Sequence, residues 1–140
     1  MIDKKAFITG AAKGLGRATA VALSASGYKT ILTDIDPVTL AETKKIIEDA
    51  GGSASTYLLD VSDKKQIESV LIQAIKDEKK IDAFINNAGI GGVMAPFHEM
   101  KDEDWDNVIA VNLSSVFYCL KYQLKILLDQ GGGNIVNVAS

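Results

Sequence analysis

The sequence predicts an α/β fold in which a doubly wound parallel sheet of five strands carries helices on both faces. Three observations predict it. Short β-prone apolar runs alternate with segments of helical period along the whole chain, the pattern of a parallel sheet with helical crossovers. A glycine-rich turn leads from the first strand straight into the first helix. The 140 residues are 47% hydrophobic and 24% charged, with 12 Gly against 2 Pro, which suits one globular core and excludes disordered or collagen-like chains.

The strands are predicted over residues 5–9, 29–33, 55–59, 83–86 and 134–139. Helices fill the gaps. The first covers 15–26, with Ala18, Ala22 and Ala25 expected on the face that lies close to the sheet, and Gly27 ends it. The second starts at Asp36-Pro37, because Asp36 can cap the first turn and proline suits the first helical position; it runs to about Ala50, where Gly51-Gly52 stops it. The third follows Ser62 as the expected N-cap, with Ile67, Val70, Leu71, Ala74 and Ile75 at helical spacing. The charged run Lys76-Asp77-Glu78-Lys79-Lys80 then reads as a solvated face. The fourth and longest helix covers about 102–129, with Trp105, Val108, Ile109, Val116, Phe117, Leu120, Leu124 and Leu127 as its apolar stripe and Gly131-Gly132-Gly133 after it. No internal repeat or linker interrupts this pattern, so residues 1–140 are expected to form one domain.

Charge and composition limit the partners. A net charge of −3 gives no overall positive field for nucleic acid or an anionic membrane, and neither is expected as a partner. No apolar run is long enough to read as a membrane span, and residues 1–9 leave no room for a signal peptide. Cys119 is the only cysteine, so no disulfide can form within the chain. A reducing, cytoplasmic setting is expected.

In doubly wound sheets ligands sit beyond the carboxyl ends of the strands, where the strand order reverses. There the sequence carries Thr9-Gly10-Ala11-Ala12-Lys13-Gly14-Leu15-Gly16. Glycines let the backbone turn tightly against a pyrophosphate, whose charge is met by free N–H groups and the positive end of the helix dipole. The spacing is G-x-x-x-G-x-G, neither the Walker order nor G-x-G-x-x-G, and a plain turn with close helix packing remains open on spacing alone. Asp34, 24 residues after Gly10, ends the second strand, where a carboxylate can accept both ribose hydroxyls of an adenosine and repel a 2′-phosphate. That favours NAD over NADP. Lys13 argues the other way, since a cation in the loop could pair with such a phosphate, and Asp34 could simply close a strand before a capped helix.

These residues resemble the short-chain dehydrogenase/reductase family, in the branch whose glycine motif is T-G-x-x-x-G-x-G, and the resemblance covers the whole chain. Further segments match in order. Asp60-Val61 looks like the adenine-contacting pair, Asn86-Asn87-Ala88-Gly89 like the N-N-A-G motif lining the cofactor, Asn112 like the helix Asn of the catalytic set, and Ser140 like the catalytic Ser at the end of its strand. Helical spacing from Val108 and to Val116 places the Asn112 amide on the inward stripe, where it needs partners.

The resemblance implies a Rossmann-type domain, cofactor contacts from Gly10, Lys13, Gly14, Leu15, Gly16, Asp34, Asp60, Val61, Asn87, Ala88 and Gly89, and catalytic roles for Asn112 and Ser140. No metal is implied. It further implies hydride transfer between the nicotinamide of NAD and a secondary alcohol or ketone, with homodimers or homotetramers in the full-length protein. The family's Y-x-x-x-K motif, whose Tyr is the general acid or base, lies beyond the catalytic Ser, whereas Tyr28, Tyr57, Tyr118 and Tyr122 all precede Ser140 and none has Lys four residues on. The chain is therefore expected to be the amino-terminal part of a longer enzyme, truncated after the fifth strand and inactive alone. An NAD-binding module without chemistry is the alternative. His98, in the 90–100 connection, is expected to be solvated.

Overall fold

The computed structural model describes residues 3–140. Five parallel strands form one sheet in the order β3-β2-β1-β4-β5, with β1 at Lys4–Thr9, β2 at Tyr28–Asp34, β3 at Ala54–Leu58, β4 at Ala83–Asn86 and β5 at Asn134–Asn137. Helices α1 (Gly14–Ala25), α2 (Pro37–Asp49), α3 (Lys64–Glu78), α4 (Asp102–Ile109) and α5 (Ser115–Gln130) make the crossovers. Chain order runs outward from β1 through β2 to β3, then returns to β4 on the other side. The reversal falls between β1 and β4.

The central strands β1, β2 and β4 are buried on both faces, which is why they read as continuous apolar runs, while the edge strand β5 is largely exposed. Period-two alternation sorts their side chains. Phe7, Ile31 and Phe84 face α3 and α5, where they meet Ile67, Leu71, Cys119 and Leu127; the Phe7 and Phe84 rings lie 5.8 Å apart. Ala6, Ile8, Leu32 and Ile85 face α1 and α2 and meet Ala20, Leu40 and Ile47. No helix among the described residues is long and apolar enough to cross a membrane.

Several local expectations need correction. Helix α1 turns Gly16 and Ala20 inward and leaves Ala18, Ala22 and Ala25 exposed, because close approach is needed at its start, where it abuts the turn. Asp63, not Ser62, caps α3: its Oδ1 accepts from the backbone N–H groups of Lys65 at 2.9 Å and Gln66 at 3.3 Å. Strand β5 ends at Asn137 rather than Ala139, although the Val138 N–H still donates to the Asn86 carbonyl at 3.0 Å.

The long fourth helix is two helices joined by a π-helical turn at Ala110–Ser114. Its inward face beyond that turn is Ser115, Cys119, Gln123 and Leu127, while Trp105, Phe117 and Leu124 are exposed. Apolar residues occur on both sides of α5, so their period places Leu127 correctly inside but Phe117 and Leu124 wrongly. Gln123 explains the choice. Fully buried, it exchanges two hydrogen bonds with Asn86 of β4, at 2.7 and 2.9 Å, and Asn86 also donates to Asn137 of β5 at 2.9 Å. A buried amide demands partners, and this pair supplies them to each other.

The charged run also holds a core residue. Glu78 is only 4% exposed and accepts from Lys29 at 2.8 Å and Ser55 at 2.9 Å, with Lys5 at 3.6 Å. Burial alone pushes its pKa up, but the hydrogen bonds from Lys29 and Ser55 and the two lysine charges outweigh that and hold it below the usual carboxylate value. An acid with a depressed folded pKa adds stability that is complete above its unfolded pKa and is lost as pH falls through the folded one. Glu78→Gln is thus expected to cost about 2 kcal/mol at neutral pH, after allowance for the half-exposed Lys29. In urea titrations of the complete protein, the gap between the two forms closes as pH drops below about 4.

Candidate functional site

A crevice of about 530 Å³ opens beyond the carboxyl ends of β1, β2 and β4, at the point of reversed strand order. Gly10, Lys13, Leu15, Gly16, Asp34, Asp60, Val61, Asn87, Ala88 and Gly89 all border it. Sequence reasoning named each of these. Gly14, at φ +56°, shapes the turn beside it without bordering it.

The turn has its form because no side chain fits inside it. A Cβ on Gly16 would overlap the Gly10 carbonyl oxygen, and one on Gly10, at φ +65°, would meet the Ala88 Cα at 2.9 Å. Helix α1 and the end of β4 are therefore pressed directly onto the turn. Thr9, 2% exposed, ties β1 to β4: its hydroxyl accepts from the N–H groups of Asn87 and Ala88, both at 3.0 Å. Asn87 returns the link, donating from Nδ2 to the carbonyls of Thr9 at 3.1 Å and Gly10 at 3.2 Å. At the start of α1, Lys13 provides no capping side chain, so the first-turn N–H groups have no side-chain acceptor. Such a helix end accepts an anion.

Asp34 is fixed from both sides. Its Oδ2 accepts from Ala12 N–H at 3.1 Å, while Oδ1 accepts from Ile35 at 2.8 Å and Asp36 at 3.2 Å. Oδ1 thus already accepts two hydrogen bonds, while Oδ2, with one, keeps a further lone pair for a ligand. The Asp36 carboxyl, which caps α2, is held below the usual range first by hydrogen bonding from Thr39 and least by the Lys13 charge. Asp60 Oδ1 is engaged by Ser62, at 2.9 Å from its N–H and 2.6 Å from its hydroxyl.

Asn112 and Ser140 do not border the crevice. Asn112 is exposed rather than inward, because it sits in the π-helical turn that ends α4's register. Its amide clasps one residue: Oδ1 accepts from Ile90 N–H at 2.8 Å and Nδ2 donates to the Ile90 carbonyl at 2.9 Å. That clasp anchors the segment following Gly89. Ser140 lies exposed beyond β5. His98 is exposed beside Glu99.

The bonding of Arg17, Thr43 and Gln123 was missed, while Thr9 and Asn86 were named only as members of their motifs and not for the links they make. Gln123 lies four residues beyond Cys119 on the buried face. Arg17, bonded to Ala12, Thr39, Glu42 and Thr43, had no pattern to mark it.

Comparison with known proteins decides the family: the short chain dehydrogenase profile matches residues 4–140. The chain belongs to the short-chain dehydrogenase family. Levodione reductase of Leifsonia aquatica is 39% identical over 140 residues, covering 99% of this chain and 52% of its own. The crystal structure of levodione reductase superposes with a TM-score of 0.95 at 38% identity, over 100% of this chain and 55% of that one. A metagenomic short-chain oxidoreductase in complex with NADP matches at 0.94, with 32% identity over 98% of this chain and 62% of that one. Carveol dehydrogenase from Mycobacterium avium in complex with NAD matches at 0.90, with 32% identity over 98% and 54%. This short-chain dehydrogenase chain spans about half the length of the curated relatives it matches.

Thr9→Val keeps shape but leaves the Asn87 and Ala88 N–H groups without their acceptor, and is expected to destabilise the complete protein by about 2 kcal/mol. Thr9→Ser should retain most of that stability. Thermal unfolding, together with faster amide exchange at Asn87 in the valine variant alone, checks it.

Proposed function

We propose that this chain is the coenzyme-binding part of an oxidoreductase that moves a hydride between NAD and a secondary alcohol or ketone. The observation that carries the reading is Asp34, whose carboxylate is oriented by three backbone N–H groups at the rim of the crevice that also holds the glycine turn. The residues present fit a dinucleotide: a bare helix end for the pyrophosphate, a fixed carboxylate for the ribose hydroxyls and small residues at Ala88 and Gly89 for a flat ring. Since one related structure is in complex with NAD and another with NADP, relatives leave the choice open. The fixed negative charge of Asp34 supports NAD, because a 2′-phosphate beside that carboxylate meets repulsion.

Bound nicotinamide supplies or accepts the hydride. Residues of this chain do the rest of the holding: the N–H groups at the start of α1 and Lys13 bind the pyrophosphate, Asp34 accepts from the ribose, and Asp60 and Val61 flank the adenine. Asn87, Ala88 and Gly89 line the cofactor, and Ser140 donates a hydrogen bond to the substrate oxygen as charge develops there. General acid–base chemistry requires a phenol whose pKa is lowered from near 10, and within residues 1–140 no Tyr is followed by Lys at the family's spacing. Residues 1–140 by themselves are expected to show no turnover. The exposed apolar side chains Phe117, Leu124 and Leu128 of α5 support assembly into a homodimer or homotetramer. The lone, buried Cys119 supports a reducing, cytoplasmic setting.

A coenzyme-binding module without chemistry is the second reading. One observation favours it: both ends of the Asn112 amide bond the Ile90 backbone, a structural role that does not by itself require catalysis.

Calorimetric titration of the complete protein with NAD and NADP tests the proposal. NAD should bind at least tenfold more tightly, and Asp34→Ala should erase the difference by weakening NAD alone. Equal affinity for both coenzymes, or none for either, overturns the reading. Coenzyme-dependent oxidation of secondary alcohols by the complete protein separates enzyme from binding module.

A further inference from the structure

Arg17 stands in the first turn of α1 yet does not border the crevice. Its guanidinium reaches α2 instead. Nε donates to the Ala12 carbonyl and to Thr43 Oγ1, both at 2.9 Å, and Nη2 donates to the Thr39 carbonyl and meets Glu42, both at 3.2 Å. Thr43, fully buried, donates its hydroxyl to the same Ala12 carbonyl at 3.0 Å. Ala12 is itself 1% exposed, so its carbonyl depends on these donors. At its other end the Ala12 N–H holds Asp34 Oδ2 at 3.1 Å, and the preceding Ala11 N–H is tied to the Thr33 carbonyl at 3.0 Å. Ala12 is thus a rigid link with the Arg17 guanidinium at one end and the Asp34 carboxylate at the other.

We propose that Arg17 is a positioning residue for coenzyme selectivity: by clamping the Ala12 carbonyl to α2, it fixes the Ala12 N–H that orients Asp34 toward an adenosine ribose with a free 2′-hydroxyl. The inference rests on the reading of Asp34 given above. The geometry needs a planar fork, because one side chain must serve two carbonyls, a hydroxyl and a carboxylate from fixed directions, and an ammonium on a flexible stem cannot do so. A purely electrostatic role for Arg17 is a different claim with a different signature. Its charge is paired with Glu42 at 3.2 Å and it does not border the crevice, and a field acting on the pyrophosphate would affect NAD and NADP alike.

The test is a double-mutant cycle in the complete protein, with NAD and NADP affinities measured by calorimetry for Arg17→Met, Arg17→Lys, Asp34→Ala and the Arg17→Met/Asp34→Ala pair. Both Arg17 variants should lose about tenfold in NAD affinity while NADP changes less than twofold, and Arg17→Met should add no further loss once Asp34 is alanine. Thr43→Val, which removes the other donor to the same carbonyl, should shift the ratio in the same direction if an Arg17 variant fails to fold. Equal loss for both coenzymes, full recovery of NAD affinity in Arg17→Lys, or an undiminished loss in the Asp34→Ala background each overturn the proposal. If Asp34→Ala alone leaves the NAD-to-NADP ratio unchanged, the reading of Asp34 itself falls, and the inference with it.

Discussion

The carbonyl of Gly10 stands where a Cβ on Gly16 would have to go, and this close approach of two stretches of bare backbone sets the shape of everything around it. Because α1 begins in direct contact with the turn, its unsatisfied N–H groups face the space above the sheet instead of being covered by side chains. The same closeness brings Ala11 and Ala12 within hydrogen-bonding reach of the end of β2, and Asn87 within reach of the end of β1. Three strand ends are thereby joined around one opening. The crevice is what remains between them.

Polar groups hold this arrangement, buried or partly buried and each with a partner. Thr9 and Asn87 join β1 to β4, Asn86 and Gln123 join β4 to α5, and Arg17 and Thr43 join the turn to α2. Apolar packing alone would allow the helices to slide on the sheet by small distances at little cost, whereas an unmatched buried amide or carbonyl costs roughly 1–3 kcal/mol. The apolar layers therefore supply the bulk of the cohesion, and the polar links supply registration.

Much of this was legible from residue patterns. Parallel strands buried on both faces produce runs such as Ala6-Phe7-Ile8 and Thr30-Ile31-Leu32, and the strand-turn-helix context gave the glycine motif its meaning. The glycine turn and Asp34 could be read from the strand-turn-helix pattern, whereas Asp60, Val61, Asn87, Ala88 and Gly89 came from the resemblance to the family. What escaped detection depended on long-range pairing. Glu78 reads as part of a soluble charge run until Lys5 and Lys29 arrive from β1 and β2. Gln123 reads as a surface residue until Asn86 is opposite it, and the π-helical turn, which exposes Asn112, has no local composition that marks it. Periodicity reports apolar faces, and it is silent where a polar side chain occupies one.

The most direct measurement is a crystal structure of the complete protein soaked with NAD. The account predicts the pyrophosphate against the N–H groups that open α1, with both hydroxyls of the adenosine ribose within hydrogen-bonding distance of the Asp34 carboxylate. A coenzyme bound elsewhere, or an Asp34 carboxylate turned away from the ribose, would contradict it.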